Sequence, residues 1–88
     1  MIMALVYLRN VESNKIKNNF ITNTNNIKSI FRFEGVNNSG FEVYLMSGTV
    51  FNFNQIYYQG NFIYVHTMDQ LYSLLTKLDS GEIQDGSS

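Results

Sequence analysis

Ser29 to Phe53, SIFRFEGVNNSGFEVYLMSGTVFNF, is the stretch whose reading decides the fold. Ser29-Ile30-Phe31-Arg32-Phe33-Glu34 alternates, and Phe41 to Leu45 and Thr49 to Phe53 alternate again. Alternation of that length is the period of a strand with two different faces. Gly35 to Gly40, which holds Asn37-Asn38-Ser39-Gly40, and then Ser47-Gly48 supply turn residues between the runs. Three antiparallel strands joined as a meander are predicted.

The register follows from face separation, because a slip of one residue moves every side chain to the opposite face. A two-residue loop at Ser47-Gly48 would mix polar and apolar residues on both faces. A three-residue loop, Met46-Ser47-Gly48 with Gly48 left-handed, pairs Leu45 with Thr49, Val43 with Phe51 and Phe41 with Phe53, and sets Glu42 against Asn52 and Tyr44 against Val50. Carried to the preceding strand, the same logic places Phe33 opposite Phe41, Phe31 opposite Val43, Arg32 opposite Glu42 and Ile30 beside Tyr44. Phe31, Phe33, Phe51 and Phe53 then lie on the face that a helix covers, where they read as core and not as a base-stacking platform.

Towards the C-terminus, Gln55 to Asn61 reads as a turn region and Phe62 to His66 as a fourth strand. Thr67-Met68-Asp69-Gln70 has the form of a capping box, with Asp69 favourable at the positive end of the helix dipole. Leu71, Leu74, Leu75 and Leu78 form one apolar stripe with Met68 beside it, and Gly81 stops the helix. Residues 81–88 read as a disordered polar tail, and Gly86-Ser87-Ser88 has the composition of a cloning remnant.

Towards the N-terminus, Ile2 to Leu8 reads as a first buried strand. From Arg9 to Asn26 seven asparagines interrupt both periodicities, so residues 9–26 are predicted to form a long loop. The fold class expected is α+β: a small antiparallel sheet of four or five strands in a meander, with one C-terminal helix packed on one face. Residues 1–80 make a single domain.

Composition bounds the function. A chain of 88 residues has a marginal core, and with no cysteine it has neither disulfides nor thiolate metal sites; oligomerisation is the remaining route to added stability, and a homodimer is expected. Phe, Ile, Asn, Lys and Tyr number 37 and Gly, Ala, Arg and Pro only 9, a bias that points to an AT-rich genome: a low-GC bacterium, its phage or a mobile element. The apolar N-terminus is too short to cross a membrane and lacks the basic start of a signal peptide, so a cytoplasmic location is expected.

Catalytic equipment is sparse. His66 is the sole histidine, with Asp69 its only acidic neighbour in sequence, and no nucleophile stands beside it. Carboxylates are scattered rather than clustered for a metal, and the glycines at 35 and 40 feed a strand where a phosphate loop would feed a helix. No enzyme, cofactor or metal is expected.

The expected function is a non-enzymatic interaction module acting through an apolar-aromatic sheet face made of Ile30, Tyr44, Val50 and Tyr64, flanked by Arg32 and Glu42. Two alternatives differ in kind. One is a small phage-type protein that inhibits a host factor or sequesters a small ligand. The other is a nucleic-acid binder using Arg9, Lys15, Lys17, Lys28 and Arg32, since residues 1–33 carry a net charge of +4 against −5 in the remainder.

Overall fold

The structure is a computed structural model that describes residues 4–36 and 39–80, with the backbone alone at 79 and 80. Seven strands and one helix follow in order: β1 Leu5–Glu12, β2 Lys15–Asn23, a short 3-10 turn Thr24–Asn26, β3 Ile27–Glu34, β4 Ser39–Leu45, β5 Val50–Phe53, β6 Gln55–Tyr58, β7 Asn61–Tyr64 and α1 Met68–Ser80. The α+β class, the antiparallel pairing and the C-terminal helix are as expected. The strands, however, form two sheets: a four-stranded one in the order β2-β1-β6-β7 and a three-stranded one in the order β3-β4-β5.

The additional strands come from segments read as irregular. Residues 9–26 are not a loop: β1 runs through to Glu12 and turns back into β2 at Ser13 and Asn14, whose φ values of 52° and 63° fit a type I′ turn. The alternation of β2 is hidden because residues 15–19 are all exposed, and only its second half meets the core. There Phe20 stacks on Phe51 with ring centroids 4.2 Å apart, joining the two sheets. Within the predicted turn region 55–61 only Gln59 and Gly60 turn, both with positive φ, and the rest pairs as β6 and β7.

The β4–β5 register is the predicted one, with Phe41 opposite Phe53, Val43 opposite Phe51 and Tyr44 opposite Val50. Gly48 has φ +95°, and Leu45 N–H donates to Thr49 O across the loop. The β3–β4 register is one residue off the prediction: Ile30 pairs with Val43, Phe31 with Glu42, Arg32 with Phe41 and Phe33 with Gly40. Ile30 and Arg32 therefore face inward, and Phe31 and Phe33 outward. Charge pairing with Glu42 is not what orients Arg32. Its Nε donates to His66 O at 2.8 Å and its Nη1 reaches Glu34 at 3.1 Å, so it ties β3 to the start of α1. The slip also places Phe33 over a residue with no side chain. A Cβ at Gly40 would stand 2.8 Å from Phe53 O and 3.4 Å from the Phe33 ring.

The sheets are joined at Asn54, the residue between β5 and β6. Its backbone N–H donates to Arg9 O and its carbonyl accepts from Val65 N–H, both at 3.0 Å. Its buried side chain imitates a peptide unit: Oδ1 accepts from Val11 N–H at 3.0 Å and Nδ2 donates to Val11 O at 2.8 Å. An amide carries one acceptor and donors in the same arrangement as a strand's own backbone, so Asn54 extends the β1 ladder around a corner where the chain changes sheets.

Between the sheets lie Val6, Leu8 and Ile56 from one and Phe41, Val43 and Phe53 from the other, all but inaccessible to water. Burial of each such side chain contributes roughly 1.5–3 kcal/mol. Leu71, Leu74 and Leu78 of α1 close the core, as the stripe predicted, whereas Met68 stays 44% exposed. The helix start differs in detail from the capping box. Gln70 N–H donates to Thr67 Oγ1 at 3.0 Å, but the Gln70 side chain reaches one residue further back, accepting from His66 N–H at 2.9 Å. The predicted stop at Gly81 and the tail 81–88 lie outside the described residues, as do Ile2 and Met3 of the predicted first strand.

Candidate functional site: the outer face of the four-stranded sheet

The expected contact residues do not form one surface. Glu42, Tyr44 and Val50 do share the outer face of the three-stranded sheet, and Tyr44 Oη donates to Glu42 at 3.4 Å. Ile30 and Arg32 lie on the opposite, inner face, a correction that follows from the register slip. Tyr64 belongs to the other sheet, where it stacks on His66 at 6.2 Å. Phe31, 55% exposed and edge-on to Tyr44 at 5.5 Å, completes a small patch with Tyr44 and Val50.

The larger patch was not visible as such in the sequence. Register places Leu5, Tyr7, Arg9 and Val11 of β1 on the outer face of the four-stranded sheet. Ile16 and Ile21 of β2 flank them on one side, and Tyr57 of β6 with Phe62 and Tyr64 of β7 on the other. Leu5 is 62% exposed, Ile21 59% and Tyr57 42%. Both faces of β1 are apolar, which in sequence reads as a strand buried on both sides. The fold instead buries Ala4, Val6 and Leu8 and leaves the alternate residues towards solvent.

Three rings organise the centre of this face. Phe62 stands edge-on to Tyr7 at 4.7 Å and to Tyr57 at 5.2 Å, arrangements that place the positive edge of one ring on the negative face of the next. Arg9 lies over Phe62 with its guanidinium carbon 3.7 Å from the ring centroid, and its Nε donates to Gln55 Oε1 at 2.8 Å. Gln55 is buried, so this contact is firmly held. Among the described residues no carboxylate shares the face, because Glu12 is turned the other way, towards Asn10 Nδ2.

Beside the rings the sheet opens. The β1–β6 ladder consists of only two residue pairs, Leu8 with Ile56 and Arg9 with Gln55, and beyond them the strands part towards the Gln59-Gly60 turn. The gap is a cavity of about 350 Å³ walled by Leu5, Tyr7, Ile21 and Tyr57, with Val6 and Leu78 at its base. That volume falls within the usual range for ligand pockets.

The free strand edges offer less. In the long edge strands β2 and β3 a lysine is the unpaired bulge residue: Lys17 between Ile16 and Asn18, and Lys28 between Ile27 and Ser29. A bulge and a lysine both obstruct edge-to-edge pairing, and the other two edges, β5 and β7, are only four residues long. The basic residues are dispersed: Arg9 is on the aromatic face, Lys15 and Lys17 are near the β1–β2 turn, Lys28 is on an edge and Arg32 is on the inner side. His66 has its backbone engaged by Gln70 and Arg32, and no three His, Cys, Asp or Glu side chains converge among the described residues.

Comparison with protein-family models, with curated proteins and with solved structures found no match.

Proposed function

We propose that the protein is a non-enzymatic binding module and that the outer face of its four-stranded sheet is the contact surface. The observation that carries this reading is a sheet face opposite the core that gathers Leu5, Tyr7 and Val11 of β1 with Tyr57 of β6 and Phe62 and Tyr64 of β7, sets Arg9 and Gln55 among them, and opens into a cavity. A solvated sheet face is ordinarily polar, and large apolar patches that remain exposed mark contact sites. Blunted edges favour contact through a face over strand addition.

An apolar dye whose fluorescence rises on leaving water tests the reading, together with sedimentation of the free protein. Native protein is expected to bind anilinonaphthalene sulfonate saturably; Tyr57→Glu, on the face, abolishes the signal and Thr76→Glu, on the exposed side of α1, leaves it intact. Protein that takes up no dye and also sediments as a monomer at high concentration refutes the reading.

A further inference from the structure

We infer that the cleft between β1 and β6 takes a single-chain apolar carboxylate, with its chain in the cleft and its head on Arg9. The inference rests on the four-stranded sheet being the binding face and names what that face binds.

The cleft selects an apolar body. Leu5, Tyr7, Ile21 and Tyr57 wall it, Leu78 closes it and Gln59 and Gly60 complete the lining, with no charged group among the described residues that line it. Arg9 selects the head. It forms no ion pair among the described residues, and its guanidinium is fixed by Gln55 through Nε and by the ring of Phe62 beneath. The Nη groups remain for a planar two-oxygen acceptor, the geometry in which guanidinium and carboxylate match. One cation balances one monoanion, whereas a phosphate dianion would be left half neutralised. Arg9, Tyr7 and Leu5 follow at alternate positions of β1, so head and cavity are separated by roughly 7–13 Å along the strand. A medium-length alkyl chain lying across the aromatic rings bridges that span.

A second copy of the chain fits less well. Apposing two such faces would bury two arginines with no carboxylate among the described residues between them.

Calorimetric titration with decanoate below its micellar concentration tests the assignment, with decyltrimethylammonium as the same chain bearing the opposite charge. Decanoate is expected to bind once per chain and about tenfold or more weakly to Arg9→Gln, less weakly to Arg9→Lys, and Ile21→Trp is expected to block the cleft. Equal binding of the two amphiphiles, or unchanged decanoate binding by Arg9→Gln, overturns the inference. If decanoate gives no heat while the dye signal still depends on Tyr57, the ligand class is wrong and the face stands. If the protein sediments as a dimer that excludes both probes, self-pairing replaces the ligand. If the protein is a monomer that binds neither, face and ligand fall together.

Discussion

Replacing Asn54 tests whether one side chain holds the two sheets together. Its main-chain bonds to Arg9 and Val65 survive any substitution other than proline, so a variant isolates the amide. Asn54→Ala removes the 3.0 Å bond from Val11 N–H and the 2.8 Å bond to Val11 O, leaving both peptide groups without partners. An unpaired buried polar group costs about 1–3 kcal/mol, and Val11 is half-buried, so water compensates in part. The expected loss is about 2–4 kcal/mol, a large share of the roughly 5–10 kcal/mol available to a domain of this size. In a melt followed by circular dichroism this corresponds to a fall in Tm of about 8–30 °C. Asn54→Asp sharpens the test, since a carboxylate still accepts from Val11 N–H but sets its second oxygen against the Val11 carbonyl. Burial and that carbonyl raise the carboxyl's folded-state pKa above its unfolded value of about 3.9. In the window between the two values the folded state holds the proton and the unfolded state does not, so stability falls as pH rises. Asn54→Asp should therefore be less stable than Asn54→Ala at neutral pH and should recover on acidification. A loss below about 0.5 kcal/mol for Asn54→Ala, or an Asn54→Asp variant that is insensitive to pH, refutes the joint.

Gly40→Ala brings a methyl group to 2.8 Å from Phe53 O, a backbone atom of a short strand, and should cost about 1–3 kcal/mol in urea unfolding; a neutral result would show that β5 gives way freely. On α1, Leu74→Ala should cost about 2–5 kcal/mol, while Tyr72→Ser, at a residue 74% exposed, should stay within about 0.5 kcal/mol; similar losses at both would contradict the assigned helix face. Thr67→Ala removes the acceptor for Gln70 N–H and should destabilise by about 1 kcal/mol, with amide exchange rising first in the opening turn of α1; unchanged protection there would argue that Gln70 alone sets the helix start.

The parts of the fold legible in sequence were those in which local rules act alone. Gly48 fixed a loop, the loop fixed the β4–β5 register, and the leucine spacing fixed the buried side of α1. β2 was illegible because a largely exposed edge strand has no buried face to impose a period, and because asparagine serves as readily on such a strand as in a turn. The β3–β4 register failed for a tertiary reason. Arg32 is satisfied by the carbonyl of His66, thirty-four positions away, and no cross-strand argument from β3 and β4 contains that partner. The candidate site was hidden by the same limit. Tyr7, Arg9, Tyr57 and Phe62 come from opposite ends of the sequence, and only the β1–β6 pairing brings them to one face.

That pairing governs the order in which the protein can be made. β1 stands between β2, its immediate successor, and β6, which follows more than forty residues later. Made from its N-terminus, the chain can form the β1–β2 hairpin and the β3-β4-β5 meander from neighbouring strands alone. Only when Gln55 and Ile56 leave the ribosome does a mate for Arg9 and Leu8 exist, and Asn54 arrives immediately ahead of them to take Val11. Until then β1 is paired along one edge alone, and Asn54 to Ile56 close a ladder whose other strand lies more than forty residues before them.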